Sequence, residues 1–405
     1  DIALAYPAGP VLLNVPADCN RAAAASEDDY RPARTAATVL SPGEAARLGN
    51  MLASARRPLL LIGRGALLDQ TPAALAAFVE AWQLPFLCSY KAKGVIAEQH
   101  PLCLGSVGLS PVVDAENMKI VREADLIIMA GFDPIELRDA WLDAWAEAHA
   151  VLSLDWGPLN HRIFPEGERA YGHLPNMLAQ LTPEAGADKA ASWGLARLRQ
   201  LKEAVAHIVR PRKPAKGISP AALFAAVSAQ ASADWIMTVD VGSHRILANH
   251  VIRCHTPGQL LQSNGLGCMG YALPAAIGAQ LVHPDKPVVA MLGDGCMLMS
   301  QGELAVAAER KLPIVVVVLN DASLSLIKLK QSKMKLAPKA GTGVAYSSTD
   351  FVSPRFDIIA QGFGAGGVRV DSIAAFDAAL REAVAGRRFT VIDCLVDPSE
   401  YWEQM

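Results

Sequence analysis

The run Ile314-Val315-Val316-Val317-Val318-Leu319 constrains this chain more than any other stretch: six apolar residues that stop abruptly at Asn320-Asp321. An unbroken row of mostly β-branched side chains fits a strand covered on both faces, because apolar and polar residues alternate only where one face meets water. Val288-Val289-Ala290-Met291-Leu292, which stops at Gly293-Asp294-Gly295, has the same form. So do Trp235-Ile236-Met237-Thr238-Val239-Asp240 and Thr390-Val391-Ile392-Asp393-Cys394. The first half carries Pro58-Leu59-Leu60-Leu61-Ile62-Gly63, Pro85-Phe86-Leu87-Cys88, Leu126-Ile127-Ile128-Met129-Ala130-Gly131 and Ala150-Val151-Leu152-Ser153-Leu154, with helix-length segments between them. Strands alternating with helices predict an α/β fold built on doubly wound parallel sheets.

At 405 residues the chain exceeds what one hydrophobic core usually serves. Two such sheets are expected: a central Rossmann-like domain over 41–185 and a second α/β domain over 216–405. A charged, helical linker over 186–215, closing in Pro211-Arg212-Lys213-Pro214, joins them. Ser41-Pro42-Gly43-Glu44 supplies a cap residue and a proline for the first helix of the central domain. Residues 1–40 read as the end of a preceding domain, with Gly9-Pro10-Val11-Leu12-Leu13-Asn14-Val15-Pro16 as a buried closing strand and a polar surface linker after it. No apolar run approaches the roughly 18 residues that a membrane span requires. The net charge of −3, with both signs scattered, leaves no basic footprint for nucleic acid. Cys19, Cys88, Cys103, Cys254, Cys268, Cys296 and Cys394 contain no C-x-x-C pair and read as reduced, mostly buried thiols. The start Asp1-Ile2-Ala3-Leu4 lacks a secretory pattern, so a cytoplasmic location is expected.

The chemistry gathers at two strand ends. Ligands of open parallel sheets bind beyond the carboxyl ends of the strands, where Gly293-Asp294-Gly295 lies. Glycines allow close backbone approach, and the helix that follows offers free N–H groups to a phosphate. Asp321 ends the next strand, 27 residues after Asp294. A right-handed crossover sets neighbouring strand ends side by side, so the two carboxylates can share one octahedral Mg²⁺ completed by phosphate oxygens and water. The layout fits a diphosphate.

Gly-Asp-Gly followed about 27 residues later by Asn or Asp at a strand end is similar to the signature of thiamine-diphosphate enzymes of the acetolactate synthase, pyruvate oxidase and benzoylformate decarboxylase family. Two further segments resemble that family in the same order. Asp240-Val241-Gly242-Ser243-His244 resembles the turn that bonds the diphosphate, and Ser263-Asn264-Gly265-Leu266-Gly267-Cys268-Met269-Gly270 the segment under the thiazolium ring. The resemblance implies thiamine diphosphate and Mg²⁺ as cofactors, held through Asp294, Asp321 and the main-chain carbonyl of Ser323. Asn320 replaces Asp321 if the register is one residue off. It further implies Gly242, Ser243, His244, Gly267, Met269, Gly293, Gly295 and Cys296 as cofactor contacts, with Met269 as the wedge that bends the cofactor and Leu326 in the substrate pocket. Lys330 lies near the position of a substrate-gating tryptophan in some acetolactate synthases. The Lys-rich stretch 328–339, with Gly341 and Gly343 after it, reads as a mobile loop over the site. Taken singly, Gly-Asp-Gly is an ordinary turn, Met269 a core residue and His244 a structural histidine. The three ordered segments together carry the weight.

What this implies is decarboxylation of a 2-oxo acid such as pyruvate and transfer of the remaining fragment to a second carbonyl. A simple 2-oxo acid decarboxylase, a pyruvate oxidase and a non-catalytic cofactor-binding subunit are the alternatives. The family's activating glutamate belongs to a pyrimidine-binding domain placed before residue 1, so the catalytic residue is unknown here. The chain is expected to be inactive until other sequence or another chain supplies that domain, and to assemble as a homodimer or tetramer. Gly63-Arg64-Gly65 hints at a dinucleotide fingerprint without completing it. Gly131-Phe132-Asp133-Pro134-Ile135-Glu136 resembles the flavin-independent members better than the flavin-binding ones, so FAD is the lesser expectation.

Overall fold

The structure, a computed structural model, describes residues 9, 11–23, 37–144, 150–158, 167–184, 186–263, 265–336 and 348–405. Its first sheet contains β1 (Pro58–Ile62), β2 (Phe86–Ser89), β3 (Cys103–Val107), β4 (Leu126–Ala130), β5 (Ala150–Asp155) and β6 (Glu168–Tyr171). Its second contains β7 (Ile236–Val239), β8 (Leu260–Gln262), β9 (Val288–Gly293), β10 (Val315–Asn320), β11 (Gly366–Val370) and β12 (Thr390–Leu395). The orders are β3-β2-β1-β4-β5-β6 and β11-β12-β10-β9-β7-β8, and every pairing is parallel. Two doubly wound α/β units were expected and are present. No helix among the described residues is long and apolar enough to cross a membrane.

The unbroken apolar runs are explained by the second sheet. Val315, Val317 and Leu319 of β10 enter one core with Met237, Val289 and Ile392. Val316 and Val318 enter another, on the opposite face, with Ala290, Leu292 and Val391. Each residue of β10 is buried, and full burial of a valine is worth roughly 1.5–3 kcal/mol. The run ends where the strand leaves the two cores.

The expected first helix forms as Pro42–Ser54, with Ser41 accepting from the Glu44 N–H and the Glu44 carboxylate accepting from the Ser41 N–H. Other expectations need correction. Residues 11–16 form no strand and are exposed, Leu12 at 95 %, because no neighbouring strand among the described residues covers them. The stretch expected to link the two sheets contains the helices Lys189–Trp193 and Leu195–Val209, whose Ala190, Trp193, Leu198 and Leu201 enter the first core. All seven cysteines are free thiols, and only Cys19 and Cys268 are exposed.

A buried ion pair fastens the two units. Lys93 Nζ lies 2.6 Å from Glu98 Oε1, and the other carboxylate oxygen accepts from the Cys254 N–H at 2.6 Å. The Glu98 N–H in turn donates to the Cys254 carbonyl at 2.9 Å. Gly94, at φ +78, passes so close that a Cβ would stand 2.3 Å from the Thr256 carbonyl oxygen.

The first sheet reverses its winding between β1 and β4, the place where such sheets receive ligands. Here that crevice is filled from within. The Glu136 carboxylate, 1 % exposed, accepts from the Arg64 N–H at 3.0 and 3.1 Å, from the Asp133 N–H at 3.1 Å and from the Ser89 hydroxyl. Burial pushes this carboxyl up to about 7 from an ordinary 4.5, against the lowering pull of those donors. The folded protein therefore keeps the proton where the unfolded chain has lost it. Stability is fullest below the unfolded value and falls as pH rises through about 7. We expect this group alone to remove on the order of 3 kcal/mol between about pH 4.5 and pH 8. Denaturant titrations across that range should show Glu136→Gln flattening this component.

Candidate functional site

A cavity of about 220 Å³ opens beyond the carboxyl ends of β7, β9 and β10, where the second sheet reverses its winding. Gly242, Ser243 and His244 enter it from the turn after β7, and Gly293, Asp294, Gly295 and Cys296 from the turn after β9. Asp321, Ser323 and Leu326 enter from the segment after β10, and Gly267 and Met269 from the fourth side. Every site residue expected from the sequence thus lines one cavity. Asn264 lies outside the described residues.

Register places the two carboxylates together. Leu319 of β10 pairs with Gly293 of β9, so the residues that follow leave the sheet as neighbours. The Asp294 carboxylate accepts from the Gly295 N–H at 2.8 Å and crosses to the Ala322 N–H at 2.7 Å. Asp321 accepts from the Ser323 N–H at 3.1 Å and the Ser325 hydroxyl at 2.5 Å. Burial, then the charge of Asp321, push Asp294 up to about 7. Burial pushes Asp321 up to about 6 despite the lowering bond from Ser325. Such a pair favours a cation between its members. No three His, Cys, Asp or Glu side chains gather as a metal site among the described residues. Two carboxylates with room for carbonyl, phosphate and water oxygens suit Mg²⁺, which keeps few protein ligands. Asn320 is not the alternative ligand: it is 4 % exposed, and its amide donates to the Asp393 carboxylate at 2.8 Å, inside the sheet.

The opposite wall lacks partners. Ser243 Oγ and His244 Nε2 are buried and bonded to no described residue. They stand in the first turn of the helix Ser243–Val251, where main-chain N–H groups are also free. Burial pulls the His244 imidazole down to about 4, so it is neutral at physiological pH. Asp240, wholly buried, accepts from the Val241, Gly270 and Ala272 N–H groups at 2.8, 3.0 and 2.8 Å, pinning the Met269 segment to the end of β7. A Cβ at Gly295 would stand 2.6 Å from Leu324 Cδ2 and 3.3 Å from Met269 Cε, so glycine leaves these side chains undisturbed. Cys296 is not free for a ligand in this arrangement, since its thiol donates to the Val241 carbonyl at 3.2 Å.

Sequence reasoning missed Tyr401, which reaches this wall from the far end of the chain with no local motif to mark it. The Lys-rich stretch departs from its expected loop. Ser325–Lys333 is helical, Lys328 pairs with Asp350 at 2.8 Å and Lys330 is exposed outside the cavity. Residues 337–347, including Gly341 and Gly343, lie outside the described residues.

Comparison with known proteins agrees with this geometry. Residues 240–394 match the family model of the thiamine pyrophosphate enzyme C-terminal TPP-binding domain, and residues 45–161 that of the thiamine pyrophosphate enzyme central domain. The chain therefore belongs to the thiamine pyrophosphate enzyme family. It is 31 % identical to the acetolactate synthase isozyme 1 large subunit of Escherichia coli over 80 % of its own length and 57 % of that protein's. It is 29 % identical to the isozyme 2 large subunit of the same organism over 94 and 67 %. With the acetolactate synthase large subunit of Corynebacterium glutamicum it shares 27 % identity over 97 and 64 %. The first unit's crevice does not fit a dinucleotide, because Glu136 already takes the N–H groups a phosphate would need. FAD is not indicated.

One substitution separates the neighbouring residues 320 and 321. Asn320→Ala removes the amide that donates to the buried Asp393 and leaves it the Phe356 N–H and Arg369 at 3.6 Å, at a cost of about 2 kcal/mol. Chemical denaturation should register that loss while divalent-cation binding stays unchanged.

Proposed function

We propose that this chain holds thiamine diphosphate and Mg²⁺ for the decarboxylation of a 2-oxo acid such as pyruvate and the joining of the remaining fragment to a second carbonyl, as in an acetolactate synthase. One observation carries the reading: a buried and a half-buried carboxylate at adjacent strand ends face, across a single cavity, a helix start whose Ser243 hydroxyl and His244 Nε2 lack partners. Asp294 and Asp321 hold the metal, with the Ser323 carbonyl as a third oxygen. The Gly242-Ser243-His244 turn takes the diphosphate, and the neutral His244 acts there by hydrogen bonding rather than by charge. Met269 supports the thiazolium ring against Gly295, and Leu326 borders the substrate. Bound there, the cofactor would supply the nucleophile and the electron sink that 2-oxo acid decarboxylation requires. This chain's residues orient it and exclude water.

Activation of the cofactor is assigned to a pyrimidine-binding domain supplied by other sequence or by another chain. The working assembly is then a cytoplasmic homodimer or tetramer. Titration of the metal-free protein with thiamine diphosphate and Mg²⁺ should give saturable binding that weakens by about a hundredfold or more in Asp294→Ala and in Asp321→Ala, since each removes one anionic oxygen ligand from the cation. Equal affinity in all three proteins would end the proposal. Pyruvate consumption should be absent from this chain alone and appear when a chain bearing the pyrimidine-binding domain is added.

A further inference from the structure

The C-terminal segment is fastened across both units. Asp397 accepts from the Ala215 N–H at 2.6 Å, and its own N–H donates to the Ile218 carbonyl at 2.9 Å. The Glu400 carboxylate, 3 % exposed, accepts from the Ala221 N–H at 2.6 Å, the Ser219 hydroxyl at 2.8 Å and the Arg212 N–H at 3.1 Å. Gln404 donates to the Arg210 carbonyl at 3.1 Å, and its own carbonyl accepts from the Ser110 hydroxyl of the first unit at 3.2 Å. So many anchors within nine residues fix the side chain they surround.

That side chain is Tyr401, 3 % exposed, whose ring lines the 220 Å³ cavity beside Asp294 and Asp321. It also borders a second cavity of about 400 Å³, which shares Asp321, Ser323 and Ser325 with the first. The ring is thus part of the wall between two spaces, with the metal-facing carboxylate in the same wall. Tyr401 lines both cavities and its hydroxyl is not among the buried atoms that lack a partner, so it is open to one of these spaces, and the charges of Asp321 and Asp294 reach it.

We propose that Tyr401 is a cofactor-contacting residue: its hydroxyl donates a hydrogen bond to the metal–diphosphate unit held by Asp294 and Asp321, while its ring closes the wall between the two cavities. This rests on the cofactor reading above. The hydroxyl supplies a neutral donor where the carboxylates supply only acceptors, which lets negative phosphate oxygens approach from that side.

The test is Tyr401→Phe, which keeps the ring and its packing. Affinity for thiamine diphosphate with Mg²⁺, and separately for Mg²⁺–pyrophosphate, is read by tryptophan fluorescence, with Trp402 next in sequence and partly exposed. Thermal unfolding of the metal-free protein is measured in parallel. Both affinities should fall about tenfold, the loss of one hydrogen bond to a charged group, while the metal-free melting temperature holds. Wild-type binding with an unaffected Phe variant overturns this inference and leaves the cofactor reading standing. Affinity and metal-free stability falling together would make Tyr401 a packing residue and overturn it as well. Failure of the wild type to bind either probe overturns the cofactor reading and the inference together.

Discussion

Two carboxylates side by side at the ends of adjacent strands, Asp294 buried and Asp321 half-buried, set the terms for the second unit. Parallel pairing of β9 and β10 leaves Asp294 and Asp321 nowhere to separate, and the cores on both faces keep the strands from sliding. The protein meets the repulsion only in part. Asp294 leans on the Gly295 and Ala322 N–H groups, and Asp321 on Ser323 and Ser325. The remaining demand is for positive charge, and opposite it Ser243 Oγ and His244 Nε2 lack partners. A divalent ion that brings its own phosphate answers both walls at once.

The two sheets offer a controlled contrast. Each reverses its winding at one point, and each raises a buried carboxylate there. In the first sheet the Glu136 carboxyl itself fills the crevice, cradled by main-chain N–H groups and a hydroxyl. In the second the carboxylates surround a space, and the helix start facing them is unsatisfied. Similar frames therefore carry opposite chemistry, and the difference lies in whether the loop after a strand brings its own acid back to the N–H groups.

Eight strands were legible as apolar runs, and all occupy interior positions of the two sheets. The four that escaped, β3, β6, β8 and β11, are the four edges. Edge strands have a neighbour on one side only. Glu168, Arg169 and Tyr171 of β6 and Gly366 of β11 reach water, and the continuous apolar signal is lost. The site was legible for a different reason. Most of its residues follow directly on the interior strands β7, β9 and β10, so short local motifs placed them, and Gly267 and Met269 follow the edge strand β8. The register at 320 and 321 was open in sequence, because both residue types can bind metal. In the structure Asn320 still belongs to the strand and turns to Asp393, while Asp321 has left it and lines the cavity. Tyr401 had no motif, since its place depends on contacts made by the residues around it. The apolar run at 11–16 misled because strand character in isolation does not supply a neighbouring strand.

Glu136 gives the first unit an electrostatic completeness that the second lacks. A chain built this way matures in unequal halves. One is finished as soon as it collapses, needing nothing from the medium. On the cofactor reading proposed above, the other would reach its final form only when an ion and its companion anion arrive, so scarcity of either would be felt in one half of the molecule and pass unnoticed in the other.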